Sequence, residues 1–333
     1  MSIEIRALRP DELDVHDQLI FDAYREYSRD GQDRRWWLDV ASHDPYYSPE
    51  QTQVLFADGI MVASVTAYWR EMHCAGTTAR VGAIGSVATH PDHRKRGYVR
   101  TLLDASCEWM RENEFDFSFL FGREEVYGGS GWRMFSAFGA AVAAHLPAEA
   151  PAEVRQAQFP ADIPALQAVY DCFNASLTGT FLRSTDYWAR RVTCGYFRDN
   201  TRSFFLVERD GEPIGYFRSD GEGSVTELGW RREIEGAGPD TVGTILCQWP
   251  DREVRFGCWN RDLQVALDPY LWAPSQAAMR EKSSAVHLSE SNKGLWKYIG
   301  PGRGAFPQVT DTESMIRFLH AHDYTFWSGV DNF

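Results

Sequence analysis

The sequence predicts an α/β protein made of two similar halves and a short C-terminal region. Strand-like openings recur about 150 residues apart, each is followed by an amphipathic helical pattern, and each half then carries a hairpin signal. The length of 333 residues also fits two domains, because a domain typically holds roughly 150 residues.

The two openings contain the same elements in the same order. Residues 3–8 alternate as a strand and residues 11–27 read as a helix with one apolar face, and residues 154–159 and a helix from Asp162 repeat this order. The positions expected to face the core are Leu19, Ile20, Ala23, Tyr24 and Tyr27 in the first helix and Ile163, Leu166, Val169, Tyr170 and Phe173 in the second.

Each half continues with a tryptophan-containing stretch and a hairpin. The stretches are residues 35–38 and 186–189, and the hairpin turns are Asp58-Gly59 and Asp210-Gly211. Glycine suits such turns because it adopts the positive φ that tight hairpins require. Two unrelated α/β halves are the alternative, since the same elements recur in many folds.

These patterns divide the chain into three parts. We expect a first domain at 1–146, an Ala/Pro-rich linker, a second domain at 152–262 and a C-terminal segment at 263–333. Within that segment, Thr310 to Glu313 resembles a capping box at the start of a helix. The last ten residues, 324–333, are aromatic and either pair as a strand or fill a groove.

Composition and charge limit the partners. The chain is 44% hydrophobic, 24% charged and 14% aromatic, as expected of a folded globular protein. Its net charge of −13 argues against nucleic acids and anionic membranes, which need a broad basic surface. The opening residues lack an apolar signal core, and no stretch approaches the roughly 18 apolar residues of a membrane span. We therefore expect a cytoplasmic protein, and leave self-association open.

We expect no metal site. The six cysteines lack the paired spacing of a zinc site. His90 and His93 have no Cys or His partner at ligand spacing, so a turn and cap is predicted there. The glycines of residues 300–304 are not followed by a helix that begins with Lys-Ser/Thr, so they do not predict a nucleotide loop.

The strongest chemical signal lies between a strand and a helix. Residues 81–89 are an apolar run, residues 90–97 are a basic turn, and residues 97–111 read as a helix. Four of the seven residues from Arg94 to Arg100 are basic.

This pattern is typical of an anion site. The free N–H groups and the positive dipole end at the start of a helix bind anions, and Gly97 lets the backbone approach the anion closely. This predicts a diphosphate site, with a solvated helix start as the alternative. The second half has no equivalent basic, glycine-containing turn.

These residues resemble the GCN5-related N-acetyltransferases (GNAT). Arg94–Val99 after Gly85–Thr89 is similar to the family's pyrophosphate loop, Arg/Gln-x-x-Gly-x-Gly/Ala, although Val99 replaces the final small residue. Glu125–Trp132 is similar to the Tyr-Gly-x-x-Gly-aromatic stretch of the tandem-GNAT "enhanced intracellular survival" acetyltransferases. The resemblance covers residues 1–145. It implies a mixed sheet with helices on both faces and tandem GNAT-like domains, of which the second is degenerate.

The resemblance also implies site residues in the first domain. Acetyl-CoA is the implied co-substrate, held by Ser86, Val87, Ala88, Thr89, Arg94, Lys95, Arg96, Gly97, Tyr98 and Val99. A backbone N–H near Val87 would face the thioester carbonyl. Tyr127 matches the family's general acid, with a capped core aromatic as the alternative. The C-terminal carboxylate, here that of Phe333, matches the base proposed for the group.

The implied activity is N-acetyl transfer to a primary amine of a small polar or cationic molecule, by direct attack in a ternary complex. Trp36 and Trp37 are expected to line the acceptor pocket, together with Glu124 and Glu125. These two glutamates, or Asp116, could instead activate the amine through water. A non-catalytic acyl-CoA sensor and an acyltransferase for a peptide or protein amine are the alternatives.

Family members also carry a longer, sterol-carrier-like C-terminal region. Residues 263–333 are expected to be a reduced form of it whose end reaches the active site.

Overall fold

A computed structural model describes residues 2–25, 43–193, 201–271 and 285–327. All strands in these ranges belong to one twelve-stranded sheet. The strands are β1 (Ile3–Ala7), β2 (Thr52–Ala57), β3 (Ile60–Cys74), β4 (Thr77–Thr89), β5 (Phe117–Leu120), β6 (Arg133–Ala143), β7 (Glu153–Gln156), β8 (Phe204–Arg209), β9 (Glu212–Ser219), β10 (Ser224–Trp230), β11 (Val254–Phe256) and β12 (Ala285–Tyr298).

Six longer helices pack on this sheet or beside it. They are α1 (Leu13–Tyr24), α2 (Tyr98–Glu112), α3 (Ile163–Asn174), α4 (Ala237–Cys247), α5 (Arg261–Leu271) and α6 (Thr312–Ala321). Glu124–Tyr127 and Thr185–Tyr187 are short helical turns, and the second continues as the π-helical turn Trp188–Val192. Within the described ranges, no helix is long and apolar enough to cross a membrane.

The strand order shows the repeat. Neighbouring strands follow the order β1-β2-β3-β4-β5-β12-β6-β11-β10-β9-β8-β7, so β4 and β5 in the first half correspond to β10 and β11 in the second. Both of these pairs are parallel. The mixed α/β sheet and the tandem arrangement predicted from the sequence are therefore confirmed.

The two halves exchange their last strands. β12 pairs antiparallel with β5 of the first half, and β6 pairs antiparallel with β11 of the second. β12 and β6 also pair with each other over eleven residue pairs, at the centre of the sheet. Each half is therefore completed by a strand from the other.

The segment that follows residue 262 belongs in part to the sheet. α5 packs beside α4, and β12 lies between β5 and β6. We propose that the second repeat extends to Tyr298 rather than ending near 262. After Tyr298 the described residues form a loop, α6 and an extended tail, with no sheet of their own.

Several local predictions fit the structure. The two Asp-Gly turns have the same geometry, with φ of 49° and 82° at Asp58 and Gly59 and of 54° and 77° at Asp210 and Gly211. All five predicted core positions of α3 are buried, as are Leu19, Ile20 and Ala23 of α1. Tyr27 lies outside the described residues.

Candidate active site

A cleft opens where β4 and β5 diverge. The two strands pair in parallel from Val81–Phe117 to Ile84–Leu120, where β5 ends, whereas β4 continues to Thr89. β4 bulges just beyond the last pair, because Gly85 faces Thr66 and Ala88 faces Ser64 of β3. Ser86 and Val87 thus oppose a single residue of β3, which bends β4 away from β5.

Two tyrosines fix the backbone of this bulge. Ser86 has a φ of 47°, and its hydroxyl lies 2.7 Å from the hydroxyl of Tyr68 on β3. The Val87 carbonyl accepts a 2.7 Å hydrogen bond from the hydroxyl of Tyr24 at the end of α1. The bulge is therefore held from the strand beside it and from the helix above it.

The start of α2 lies directly after β4 and a basic turn. Gly97 is left-handed, with a φ of 79°, and a Cβ placed on it would meet nothing within 4 Å. The first hydrogen bond within the helix runs from the Thr101 N–H to the Gly97 carbonyl, and Gly97 itself has no side chain that could cap the helix start. The three preceding N–H groups and the open space at Gly97 fit a diphosphate.

The basic side chains near this turn differ in their contacts. Lys95, Arg96 and Arg100 are exposed, and Lys95 is left-handed, with a φ of 64°. The guanidinium of Arg94 donates a 2.8 Å hydrogen bond to the Ala23 carbonyl of α1. Arg94 thus joins the turn to α1. Arg96 and Arg100 donate longer hydrogen bonds to the carbonyls of Asp92 and Gly129, at 3.4 and 3.3 Å. All four basic side chains are exposed, so an anion can reach them. The imidazole of His90 accepts a hydrogen bond from the Asp92 N–H, which fits the turn and cap predicted there.

Tyr127 lies beside the end of β5. It ends a short helical turn, and its ring packs so closely on Gly122 that a Cβ there would lie 2.5 Å from its Cε2 atom. The ring also packs against the core cluster that contains Tyr98 and Leu120. Burial raises the pKa of the phenol above its ordinary value, so Tyr127 stays protonated at neutral pH.

The three acidic residues proposed to activate the amine lie in different parts of the first half. Glu124 and Glu125 are exposed on the turn that carries Tyr127. Asp116 is buried at the opposite end of β5, where its carboxylate accepts a 2.8 Å hydrogen bond from the Arg80 N–H and another from the backbone of Arg303. Asp116 therefore holds the loop of residues 300–304, and its position does not suit activation of an amine near Tyr127.

The tail passes the cleft. Tyr324 bridges to Thr178, and Phe326 packs against Phe119 and Phe121 with ring centroids 5.3 and 5.4 Å away. Trp327 is fully buried, and its indole N–H donates to the side chain of Asn174. The tail is thus anchored beside the residues that follow β5.

Three predicted site residues cannot be located. Phe333 lies outside the described residues, as do Trp36 and Trp37.

The corresponding strands of the second half carry a buried charged network. β10 and β11 pair as far as Val225–Phe256, and β10 then bulges before Glu227. Both oxygens of the Glu227 carboxylate accept bonds from Arg183, at 2.7 and 2.9 Å, and one also accepts from the hydroxyl of Tyr216. Glu227 and the two donors are fully buried or nearly so. This buried network lies at the bulge of β10, which corresponds to the bulge of β4 at Ser86–Val87.

The second half does retain a glycine turn, which the sequence comparison of the two halves missed. Gly236 precedes α4 with a φ of 76°, much like Gly97 before α2. The residues before it are Glu233, Ile234 and Glu235 in place of bases. The glycine geometry therefore recurs in both halves. The three positions before Gly236 carry no base, and Arg231 and Arg232, which lie earlier in the turn, form ion pairs with carboxylates.

Within the described ranges, no group of three or more His, Cys, Asp or Glu side chains could hold a metal ion.

Comparison with known proteins decides the class of the first half. Residues 4–135 match the family model "Acetyltransferase (GNAT) domain". The first half is a GNAT domain. Its residues include β1 to β5, the basic turn, α2 and Tyr127, that is, the whole cleft described above. GNAT enzymes use acetyl-CoA as the acetyl donor, and the open start of α2 fits its diphosphate.

Solved structures share the fold over most of the chain. A conserved protein from Enterococcus faecalis V583, described as a probable N-acyltransferase, is 13% identical, with a TM-score of 0.65 over 90% of this chain and 73% of its own. A GCN5-related N-acetyltransferase from Anabaena variabilis is 11% identical, with a TM-score of 0.59 over 90% and 73%. Eis1 from Mycobacterium abscessus is 14% identical, with a TM-score of 0.58 over 90% and 74%. No curated protein sequence matches the chain.

Proposed function

We propose that the GNAT domain transfers an acetyl group from acetyl-CoA to a primary amine of a small polar or cationic molecule, by direct attack in a ternary complex. The observation that carries the proposal is the meeting of three features at one cleft. These are the bulge at Ser86–Val87, the open helix start at Gly97 and the protonated Tyr127.

The donor would be held mainly by backbone. The N–H groups at the start of α2 receive the diphosphate, with Lys95 and Arg96 beside them. The free side of β4 beyond Ile84 can pair with an extended amide chain as a further strand would. Both contacts place the thioester near the bulge, where backbone N–H groups can stabilise the developing oxyanion.

Tyr127 supplies the proton that the leaving group needs. The amine nitrogen forms a bond to the acetyl carbon, the carbon–sulfur bond breaks, and the departing sulfur takes the phenolic proton of Tyr127. Because burial keeps the phenol protonated, the acid is ready across the neutral range. A base that accepts the amine proton completes the step.

The family resemblance implies the carboxylate of Phe333 as the base, and we keep that assignment as a proposal. Phe333 lies outside the described residues. Deletion of Phe333 is expected to abolish turnover without changing acetyl-CoA binding.

The acceptor side favours a cation. Glu124 and Glu125 are exposed on the turn that carries Tyr127, and the chain as a whole has a net charge of −13. The negative net charge would attract positively charged molecules to the protein, and the two glutamates could receive them beside Tyr127.

A thiol-release assay tests the proposed activity. The full chain is incubated with acetyl-CoA and a panel of small polyamines, amino sugars, neutral amines and lysine peptides, and free coenzyme A is measured. Release that is fastest with small cationic amines supports the proposal. Thermal stabilisation by acetyl-CoA without release on any amine would favour a sensor, and release with peptides alone would favour a peptide acyltransferase.

A further inference from the structure

We propose that Lys297, which belongs to the last strand of the second repeat, is a positioning residue for Tyr127 of the first. The inference rests on the acid role proposed above for Tyr127. It assigns the degenerate repeat a direct part in the active site, delivered by the exchanged strand β12.

The ammonium group of Lys297 is surrounded by groups of the GNAT domain. Its nitrogen donates a 2.8 Å hydrogen bond to the Ser130 carbonyl and lies 3.2 Å from the sulfur of Cys107. It also lies 4.4 Å from the ring centroid of Trp132. Cys107 and Trp132 are both buried, so the three N–H donors of a partly buried lysine meet an oxygen, a sulfur and an aromatic face.

The Ser130 carbonyl belongs to the turn that follows Tyr127. Residues 128–130 form a 3-10 turn, which Gly131 ends in the left-handed region with a φ of 94°. Because this turn continues directly from the helical turn of Tyr127, its position sets that of the phenol. The ring has little room of its own, since it packs closely on Gly122.

Each carbonyl of this turn accepts a bond from a cationic side chain. Arg133 donates to the Gly128 carbonyl at 2.8 Å and Arg100 to the Gly129 carbonyl at 3.3 Å. Both arginines are exposed, where such bonds contribute little because water competes for them. Lys297 holds the turn from its buried side, so its bond contributes most to the placement of the turn.

The space around Lys297 selects lysine. A Cβ placed on Gly131 would lie 3.4 Å from the Cε atom of Lys297, so the side chain runs close under the turn. A methionine there would fill the same volume but donate no hydrogen bond to Ser130. An arginine would keep the charge on a wider group. Losing the bond lets the turn shift, and a displacement of about 1 Å near the reacting atoms costs up to roughly a hundredfold in rate.

The first test compares two variants at this position. Lys297→Met is expected to lower kcat roughly tenfold while leaving the KM for acetyl-CoA unchanged, and Lys297→Arg is expected to recover part of the loss. Arg255→Met, which removes an exposed cation from β11, is the matched control and should keep the wild-type kcat. An unchanged kcat in folded Lys297→Met would overturn the inference.

A double-mutant cycle with Tyr127→Phe separates positioning from a general structural role. If Lys297 acts through the phenol, adding Lys297→Met to Tyr127→Phe lowers kcat no further. Additive losses would refute the inference. If circular dichroism shows that Lys297→Met does not fold, Lys297→Gln, which keeps a neutral donor, takes its place in the cycle. A wild-type kcat in Tyr127→Phe would instead refute the acid role itself, which distinguishes the two failures.

Discussion

At the scale of single residues, the surroundings of Tyr127 define a pH dependence. Burial raises the pKa of the phenol above its ordinary value of about 10, so the acid form persists as the pH rises through the neutral range and is lost only above that value. We expect kcat to show no alkaline decline below about pH 10. A pH–rate profile measures this, and an alkaline decline centred near pH 8 that is absent from Tyr127→Phe would contradict the environment described for the phenol.

Gly97 offers a second test at this scale. Gly97→Ala forces a non-glycine residue into the left-handed region, which costs about 1–2 kcal/mol. The N–H groups at the start of α2 shift in response, so we expect the KM for acetyl-CoA to rise roughly tenfold. Steady-state kinetics and thermal melting measure the two effects.

Gly236→Ala is the matched control for this variant. It places the same strain before α4 in the second repeat, where a Cβ would meet only ordinary contacts. The melting temperature should fall as it does for Gly97→Ala, while the KM stays at the wild-type value. An equal rise of KM in both variants would show that Gly97 acts only through stability.

At the scale of elements, the bulge of β4 depends on two tyrosines from its neighbours. Tyr24→Phe removes the hydrogen bond to the Val87 carbonyl and should cost about 1 kcal/mol of stability together with a loss of kcat/KM. Tyr170→Phe removes a fully buried hydrogen bond to the Phe181 carbonyl in the second repeat. Because that bond is more deeply buried, chemical denaturation should show at least as large a loss of stability for Tyr170→Phe. A loss of kcat/KM for Tyr170→Phe as well would argue against a specific role of the bulge.

The sequence predicts the elements better than their contacts. The spacing of apolar residues predicts the buried faces of α1 and α3, because apolar side chains are the ones that a folded protein buries. The capping box of α6 is predicted at Thr310–Glu313, whereas the structure uses Asp311 with Ser314, since several polar residues in a row offer alternative caps.

Polar partners distant in sequence leave no such signal. Tyr24 is predicted only as part of an apolar face, although its hydroxyl supports the bulge at Val87. Lys297 lies 170 residues beyond Tyr127 and follows an ordinary strand pattern. The motifs predict the helix start and the proposed acid, Tyr127, but the groups that contact them come from other strands and helices.

At the scale of the whole molecule, the exchange of β6 and β12 joins the two repeats into one sheet. A single repeat would leave β5 without its neighbour β12 and expose an unpaired strand edge, which promotes aggregation. The second half, in which Arg183 and Glu227 form a buried ion pair, thus supplies a strand that pairs with β5. The topology could not be predicted from the sequence, because both strands would fit either half.

The exchange predicts the behaviour of fragments. Residues 1–146 alone should fail to give a folded monomer, and co-expression with residues 147–333 should restore a soluble complex that binds acetyl-CoA. Size-exclusion chromatography and near-ultraviolet circular dichroism test this. A monomeric, folded fragment 1–146 with wild-type affinity for acetyl-CoA would contradict the structural role assigned to β12.

We propose that acetyl transfer takes place in the cleft between β4 and β5, with Tyr127 as the acid. The most direct measurement is the comparison of wild type and Tyr127→Phe for both acetyl-CoA binding, by isothermal titration calorimetry, and coenzyme A release with the best amine. We predict an unchanged Kd and a turnover lower by roughly a hundredfold or more. Equal turnover in the two proteins would contradict the account.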